Sequence, residues 1–267
     1  MTYLKQRIVT GLLAGGLFIA LAAAGGWMYT LLLIALALIG YAEYVRMNGE
    51  KWHHPLSLIG FAGVLIFVLP WSSWGVTPPA DAAVVWLLLL AVLAMTVITK
   101  NNKTIDSAAL MLLGALYVGY GFSAMIQVRG IEDHGLFLTF LCFGCIWASD
   151  IGAYFTGRAF GKHKLWPSIS PNKTVEGALG GIALSLVVAL VSTAIYPDGI
   201  SIHSAIWIGL IAAVAGQFGD LIQSAYKRVR NIKDTGRILP GHGGILDRCD
   251  SWIIVFPLLH LTGLLPN

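Results

Sequence analysis

The feature that most constrains this chain is a succession of nine apolar runs joined by short polar links, with approximate limits 8–25, 27–43, 55–71, 80–99, 107–126, 135–155, 175–196, 203–222 and 251–266. Most approach the roughly 20 residues that an α-helix needs to cross a bilayer. In hydrocarbon every backbone N–H and C=O must be paired within the chain, so such runs form helices or the strands of a closed barrel. Barrel strands show short segments of alternating polarity, and these runs do not alternate. The expected fold is therefore all-α, a polytopic transmembrane protein of about nine spans. Composition agrees: 57% of residues are hydrophobic and only 11% charged, where soluble domains carry about 25% charge. Trp27, Trp52, Trp71, Trp74 and Trp166 fall near segment ends, where indole rings favour the membrane interface.

The net charge of +4 would raise nucleic acid as a partner of a soluble protein. Here the basic residues occupy links between apolar runs, so they speak of orientation and of anionic ligands, with no nucleic acid expected. Alternate links hold Lys5 and Arg7; Arg46 and Lys51; Lys100 and Lys103; Arg158, Lys162, Lys164 and Lys173; and Lys227, Arg228, Arg230, Lys233, Arg237 and Arg248. Of the 17 Lys and Arg only Arg129 lies in the other set of links. That asymmetry supports the nine-span count and a cytoplasmic N-terminus, with Asn267 outside. Lys5 and Arg7 followed by an apolar stretch reaching Ala22-Ala23-Ala24 resemble a signal peptide. An uncleaved first helix is expected, because another span follows Gly26.

Polarity divides the chain unevenly. Residues 1–130 read as a scaffold of transmembrane helices. Residues 131–267 read as the catalytic region, with two cytoplasmic loops, 156–174 and 223–250, longer than connection requires and rich in Gly, Lys and Arg. Loops of that kind in a compact protein are functional or disordered. Cys142 and Cys145 form a C-x-x-C pattern inside an apolar run, where two small residues a turn apart serve packing better than redox chemistry.

Carboxylates inside apolar runs are costly and mark function, unless an interhelical hydrogen bond or the interface accounts for them. Asp150 and Asp220 are two such residues. If the eighth helix continues past the membrane edge, Gln217, Asp220, Ser224 and Lys227 lie on one face of it, being spaced by three and four. Asp247 and Asp250 are three apart at the start of the last helix and share a face. Capping would explain Asp250 or Ser251, but less readily Asp247 with His242 and Arg248 beside it. The glycines of Gly241-His242-Gly243-Gly244 allow backbone to approach a ligand and turn N–H groups toward phosphate. In Ser170-Pro171-Asn172-Lys173-Thr174-Val175-Glu176-Gly177, Ser170 or Asn172 is a candidate cap for the seventh helix. Lys173, just before that helix, is placed to grip phosphate. Carboxylates beside a basic loop suggest Mg²⁺ with a polyphosphate, since Mg²⁺ takes one or two carboxylates and draws its other ligands from phosphate and water. There is no G-x-x-x-x-G-K-S/T loop, and the seven His are scattered without zinc spacing.

Residues 224–250 hold S-x-x-K-R at Ser224, Lys227 and Arg228, then Lys233-Asp234, then His242-Gly243-Gly244, then D-R-x-D at Asp247, Arg248 and Asp250. This resembles the C-terminal motif of the phosphatidate cytidylyltransferase (CDP-diacylglycerol synthase) family, with every fixed position present. The Asp150 to Tyr154 element and the Ser170 to Gly177 run resemble the family too; the first 130 residues match only in character. The resemblance implies an integral membrane enzyme that joins phosphatidate and CTP to give CDP-diacylglycerol and pyrophosphate with Mg²⁺. It implies Asp220 and Asp247 as metal-binding carboxylates, and admits a second, monovalent cation such as K⁺. It implies Lys173, Lys227, Arg228, Lys233 and Arg248 as phosphate-holding residues. Asp234, His242 and Asp250 would shape the site, with Asp150 and Ser224 on the substrate side. CTP, phosphatidate and membrane lipid are the expected partners, and a homo-oligomer is compatible with this. The expected location is a bacterial cytoplasmic (inner) membrane, with the site facing the cytoplasm. Two other classes compete: a CTP-dependent polyprenol or lipid kinase, and an ion-coupled transporter using Asp150 and Asp220. The transporter is disfavoured because the first half offers no elements matching the second.

Overall fold

The computed structural model describes residues 3–265; residue 266 of the expected last segment and Asn267 lie outside the described residues. Among the described residues there are nine α-helices: α1 Tyr3–Ala24, α2 Gly26–Met47, α3 Pro55–Val68, α4 Asp81–Ile98, α5 Ile105–Arg129, α6 Gly135–Phe160, α7 Val175–Ile195, α8 Ile202–Val229 and α9 Leu246–Leu261. Seven of them, all but α3 and α9, are long and apolar enough to cross a membrane. The protein is thus a polytopic helical membrane protein. The 14 residues of α3 reach about 21 Å at 1.5 Å per residue, short of the roughly 30 Å hydrocarbon core. Its end has a local cause. Leu69 precedes Pro70 and is extended, with ψ 137°, because a residue before proline is pushed out of the α region. A 3₁₀ turn at Trp71–Trp74 follows.

The chain forms two compact units. The first comprises residues 1–126 with 235–246, the second residues 127–234 with 247–267. The 235–246 segment, placed by sequence in the C-terminal region, thus belongs to the first unit. Tyrosines of α2 take the space that glycines leave open there. A Cβ on Gly60 would meet the Tyr41 ring and one on Gly114 the Tyr44 ring, and the Tyr41 hydroxyl donates to the Met111 carbonyl at 3.2 Å. On α3, Pro55 sits in the first turn, where its missing N–H is not needed. His54 caps the same helix through Nδ1, which accepts from Leu56 N–H at 3.1 Å.

In the second unit α6, α7 and α8 approach one another through small residues, the usual device of helices that pack in lipid. A Cβ on Gly152 would lie 2.6 Å from the Gly180 carbonyl oxygen, and one on Gly181 2.7 Å from that of Ser149. The Ser185 hydroxyl donates to the Gly209 carbonyl at 2.8 Å. Cys142 and Cys145 are buried free thiols, and Cys145 Sγ points to the Ser185 carbonyl at 3.7 Å, so the pair serves packing. The stretch expected as loop 156–174 is mostly ordered secondary structure. Helix α6 runs on to Phe160, and strands β1 Lys164–Trp166 and β2 Ser170–Thr174 form an antiparallel hairpin. Strands this short leave no readable alternation, which needs four to eight residues. The cap of α7 is Thr174, whose Oγ1 accepts from Gly177 N–H at 3.1 Å; Ser170 and Asn172 lie within β2 instead. Helix α8 does continue, to Val229, and closes on Lys227 and Arg228, cations favoured at a helix C-terminus.

Candidate active site

The second unit contains a cavity of about 670 Å³ whose wall carries nine charged side chains despite the apolar helices around it. That volume lies in the ~300–1,000 Å³ range of small-molecule sites. Four elements build it. Helix α6 supplies Asp150, Tyr154 and Arg158, each four residues on from the last and so on one face. Strand β2 supplies Asn172, Lys173 and Thr174 just before α7. Helix α8 supplies Gln217, Asp220 and Lys227, and Asp234 follows beyond its end. The first turns of α9 supply Asp247, Arg248, Asp250 and Ser251.

Ion pairs order the wall. Lys173 Nζ lies 2.7 Å from Asp220 Oδ2, and Lys227 Nζ lies 2.7 Å from Asp247 Oδ1. The second pair is the more enclosed, with side-chain exposures of 15% and 4%, against 24% for Lys173 and 40% for Asp220. Ser224 does not line the cavity but donates its hydroxyl to Asp220 Oδ1 at 3.3 Å. Gln217 bridges three helices: it stands on α8 while its Nε2 donates to Ser149 Oγ on α6 at 3.3 Å and to the Ala178 carbonyl on α7 at 3.2 Å. Its own carbonyl accepts from Lys173 Nζ at 3.4 Å. The stripe of Gln217, Asp220, Ser224 and Lys227 inferred from spacing is therefore one continuous polar face. The α8–α9 approach is close: Ser251 Oγ donates to the Gly216 carbonyl at 3.0 Å; within α9, Asp250 Oδ1 accepts from the Ser251 N–H at 2.8 Å.

Of the residues singled out from sequence, Asp150, Lys173, Asp220, Lys227, Asp234, Asp247, Arg248 and Asp250 line this one cavity. The remaining four, Ser224 included, lie outside its lining. Arg228 is exposed, and its Nε donates to the Ile169 carbonyl in the hairpin at 3.2 Å. Lys233 is exposed and outside the lining. His242 falls in the 235–246 segment of the first unit, packed against Gly11 of α1. Arg158 is a wall residue that sequence reasoning took only as a loop cation. Its eight-residue spacing from Asp150 becomes informative only once α6 is known to reach Phe160.

The donor set fits a divalent cation. Five carboxylates (Asp150, Asp220, Asp234, Asp247 and Asp250) face four cations (Arg158, Lys173, Lys227 and Arg248) in the wall. Two of the four cations, Lys173 and Lys227, are already paired with carboxylates before any phosphate arrives. A polyphosphate entering such a wall needs added positive charge, and Asp220 and Asp247 offer the hard oxygen ligands that Mg²⁺ takes. Among the described residues no three acidic, His or Cys side chains form an all-protein metal cage, so such an ion would take its other ligands from substrate oxygens and water.

A model of the cytidylyltransferase family matches residues 5–265. The chain is similar to the phosphatidate cytidylyltransferase of Bacillus subtilis, with 40% identity over 264 residues that cover 97% of each chain. It is 39% identical to the phosphatidate cytidylyltransferase of Staphylococcus saprophyticus and 38% identical to that of Staphylococcus aureus strain COL, each over 97% of this chain and 98% of the relative. With that match running nearly end to end, and with the paired Asp and Lys residues of β2, α8 and α9 gathered in one cavity, the chain belongs to the cytidylyltransferase family.

Proposed function

We propose that this protein transfers the cytidylyl group of CTP to phosphatidate, giving CDP-diacylglycerol and pyrophosphate, at the cavity bounded by α6, β2, α8 and the start of α9. The observation that carries this is the meeting of both motif carboxylates, Asp220 and Asp247, with Lys173 and Lys227 in one cavity of a membrane-helical unit. The family match and the relatives' activity support it.

A lipid phosphate monoester has its second pKa near 6 and is already a nucleophilic dianion at neutral pH, so no strong base is required. One of its oxygens forms a bond to the α-phosphorus of CTP as the bond to the bridging oxygen breaks, and pyrophosphate leaves with that electron pair. The protein's tasks are to align two anions that repel each other and to stabilise the charge that develops on the leaving group. Lys173 and Lys227, now paired with carboxylates, are the cations free to turn to phosphate oxygens; Arg158 and Arg248 line the same cavity. Asp220 and Asp247 would hold Mg²⁺, which when bound supplies Lewis-acid stabilisation of phosphate oxygens. The same carboxylates would also serve a monovalent cation such as K⁺. The concentration of Lys and Arg on one set of links supports a site on the cytoplasmic face, and the bacterial relatives support a bacterial cytoplasmic membrane.

The test uses purified protein, phosphatidate, Mg²⁺ and CTP labelled separately at the α- and γ-phosphates. The α-label should enter lipid and the γ-label leave as pyrophosphate, with turnover lost on chelation by EDTA and restored by Mg²⁺. In sealed inside-out vesicles, CTP outside the vesicle should suffice. Entry of the γ-label into lipid would instead establish a kinase. Lys173→Ala, which removes an ammonium from Asp220 and from the incoming phosphates, should raise the KM for CTP about tenfold or more, the effect of losing ~1.4 kcal/mol or more of charge-assisted contact. Unchanged steady-state kinetics would make Lys173 structural.

A further inference from the structure

Within the first unit a charged side chain with no place in the chemistry above is buried. Glu43, on α2, is fully buried at 0% exposure. An ionised group so placed is tolerable only when it is well hydrogen-bonded, and its donors come from about two hundred residues further along the chain. Glu43 Oε1 accepts from Ile245 N–H at 3.0 Å, and Oε2 accepts from Leu246 N–H at 3.0 Å and from the Thr235 hydroxyl at 3.1 Å. Both ends of the 235–246 segment thus converge on one carboxylate. The segment is closed inside these ends by a tight turn, with Leu239 N–H donating to the Gly243 carbonyl at 3.1 Å and His242 N–H to the Leu239 carbonyl at 2.8 Å.

The glycines of this segment divide by cause. Gly241 and Gly243 have φ of +76° and +88°, a backbone region that side chains with a Cβ disfavour. Gly236 and Gly244 are needed for space instead: a Cβ on either would run into the Glu43 carboxylate. The Gly243-Gly244 pair of the motif therefore serves the turn with its first residue and the buried carboxylate with its second. One turn earlier on α2, Gly40 leaves room for the Leu246 side chain, which a Cβ there would approach to 3.2 Å.

Ile245 and Leu246 stand at the start of α9, where backbone N–H groups lack partners within the helix. The carboxylate supplies those partners from a distant helix, and the next residue in the chain is Asp247. We propose that Glu43 is a positioning residue for the catalytic loop: by capping α9 from α2 it sets the backbone from which Asp247 and Arg248 project. This rests on the proposed function only in naming what the positioned residues do; the cap itself can be tested without turnover.

The experiment is amide hydrogen exchange of the membrane-reconstituted full chain, read over 235–247, alongside steady-state kinetics. In the wild type, Ile245 and Leu246 should exchange as slowly as the buried centre of α2. Glu43→Gln keeps the shape but turns an NH₂ toward donors. It should release protection at 245–246 and lower kcat by 10-fold to 100-fold, the size of effect that a displacement near 1 Å produces, with KM for CTP within about twofold. Glu43→Asp, which retains both acceptor oxygens, should recover part of both. Unchanged exchange in Glu43→Gln, or lost protection with unchanged kcat, would overturn the proposal. Should that variant fail to fold, rapid wild-type exchange at Ile245 and Leu246 would overturn it alone. A wild type without cytidylyl transfer but with those amides protected would sink the proposed function and leave the cap intact.

Discussion

Asp247→Asn is expected to reduce cytidylyl transfer by about 10³-fold or more, the scale reached when a group that stabilises developing charge is removed. It should also lower the stability of the protein, and the two effects have separate origins. Asp247 is 4% exposed and its Lys227 partner 15%. Neutralising the carboxylate therefore strands an ammonium away from water, a change that costs about 3–5 kcal/mol for a buried pair. Asp220 shows the other balance. Its side chain is 40% exposed, so Asp220→Asn should cost little stability while turnover falls as far. The double replacement Asp247→Leu with Lys227→Met separates the two roles, because an apolar pair of similar bulk often restores the stability lost when one partner is removed. That variant should regain its unfolding temperature in detergent and remain inactive. Turnover recovered in the double variant would reduce Asp247 to a structural partner of Lys227. Wild-type turnover in Asp220→Asn would remove that residue from the proposed metal site.

The second large effect concerns a residue without a side chain. A Cβ on Gly219 would lie 2.5 Å from the Asp250 carbonyl oxygen and 2.9 Å from Ser251 Cα. Both obstacles are backbone, so no rotamer change relieves the clash, and α8 and α9 must move apart. Overpacking of this kind costs typically 1–3 kcal/mol. The displacement falls between Asp220, the next residue on α8, and Asp250 on α9. Gly219→Ala should therefore lower the unfolding temperature and depress turnover about 10²-fold, more than its stability loss explains, since misplacement near 1 Å suffices for that. Gly144→Ala is the control: its new methyl would meet only a Val188 side-chain carbon at 3.4 Å, and both properties should stay near wild type. Equal tolerance of the two substitutions would mean that α8 and α9 have slack at their crossing, and that the spacing of Asp220 and Asp250 is not held by packing.

Several parts of the site are legible in the primary structure for a plain reason: they are encoded at helical spacing. Gln217, Asp220, Ser224 and Lys227 repeat at three and four residues, and α8 does carry them along one side, three into the cavity wall and Ser224 onto Asp220. Asp247 and Asp250 fall in the opening turns of α9. Lys173 sits one residue before the Thr174 cap of α7. The hairpin of 164–174 was not legible, because strands of three and five residues are set by pairing and not by pattern. The apolar run reaches residue 71, but α3 ends at Val68 because Pro70 stops the helix.

What the amino-acid order determines by itself is local and periodic. Apolar runs of membrane length demand helices, because unpaired backbone cannot rest in lipid, and polar residues at helical intervals declare a face. What the tertiary structure alone decides is partnership across the chain: that Lys173 meets Asp220 while Lys227 meets Asp247, that Arg158 joins the cavity wall while Arg228 and Lys233 stay outside its lining, and that Glu43 accepts from Thr235, Ile245 and Leu246. No periodicity records such pairs, because they depend on how distant segments pack, and a carboxylate in an apolar helix looks the same in sequence whether lipid, substrate or its own chain will satisfy it.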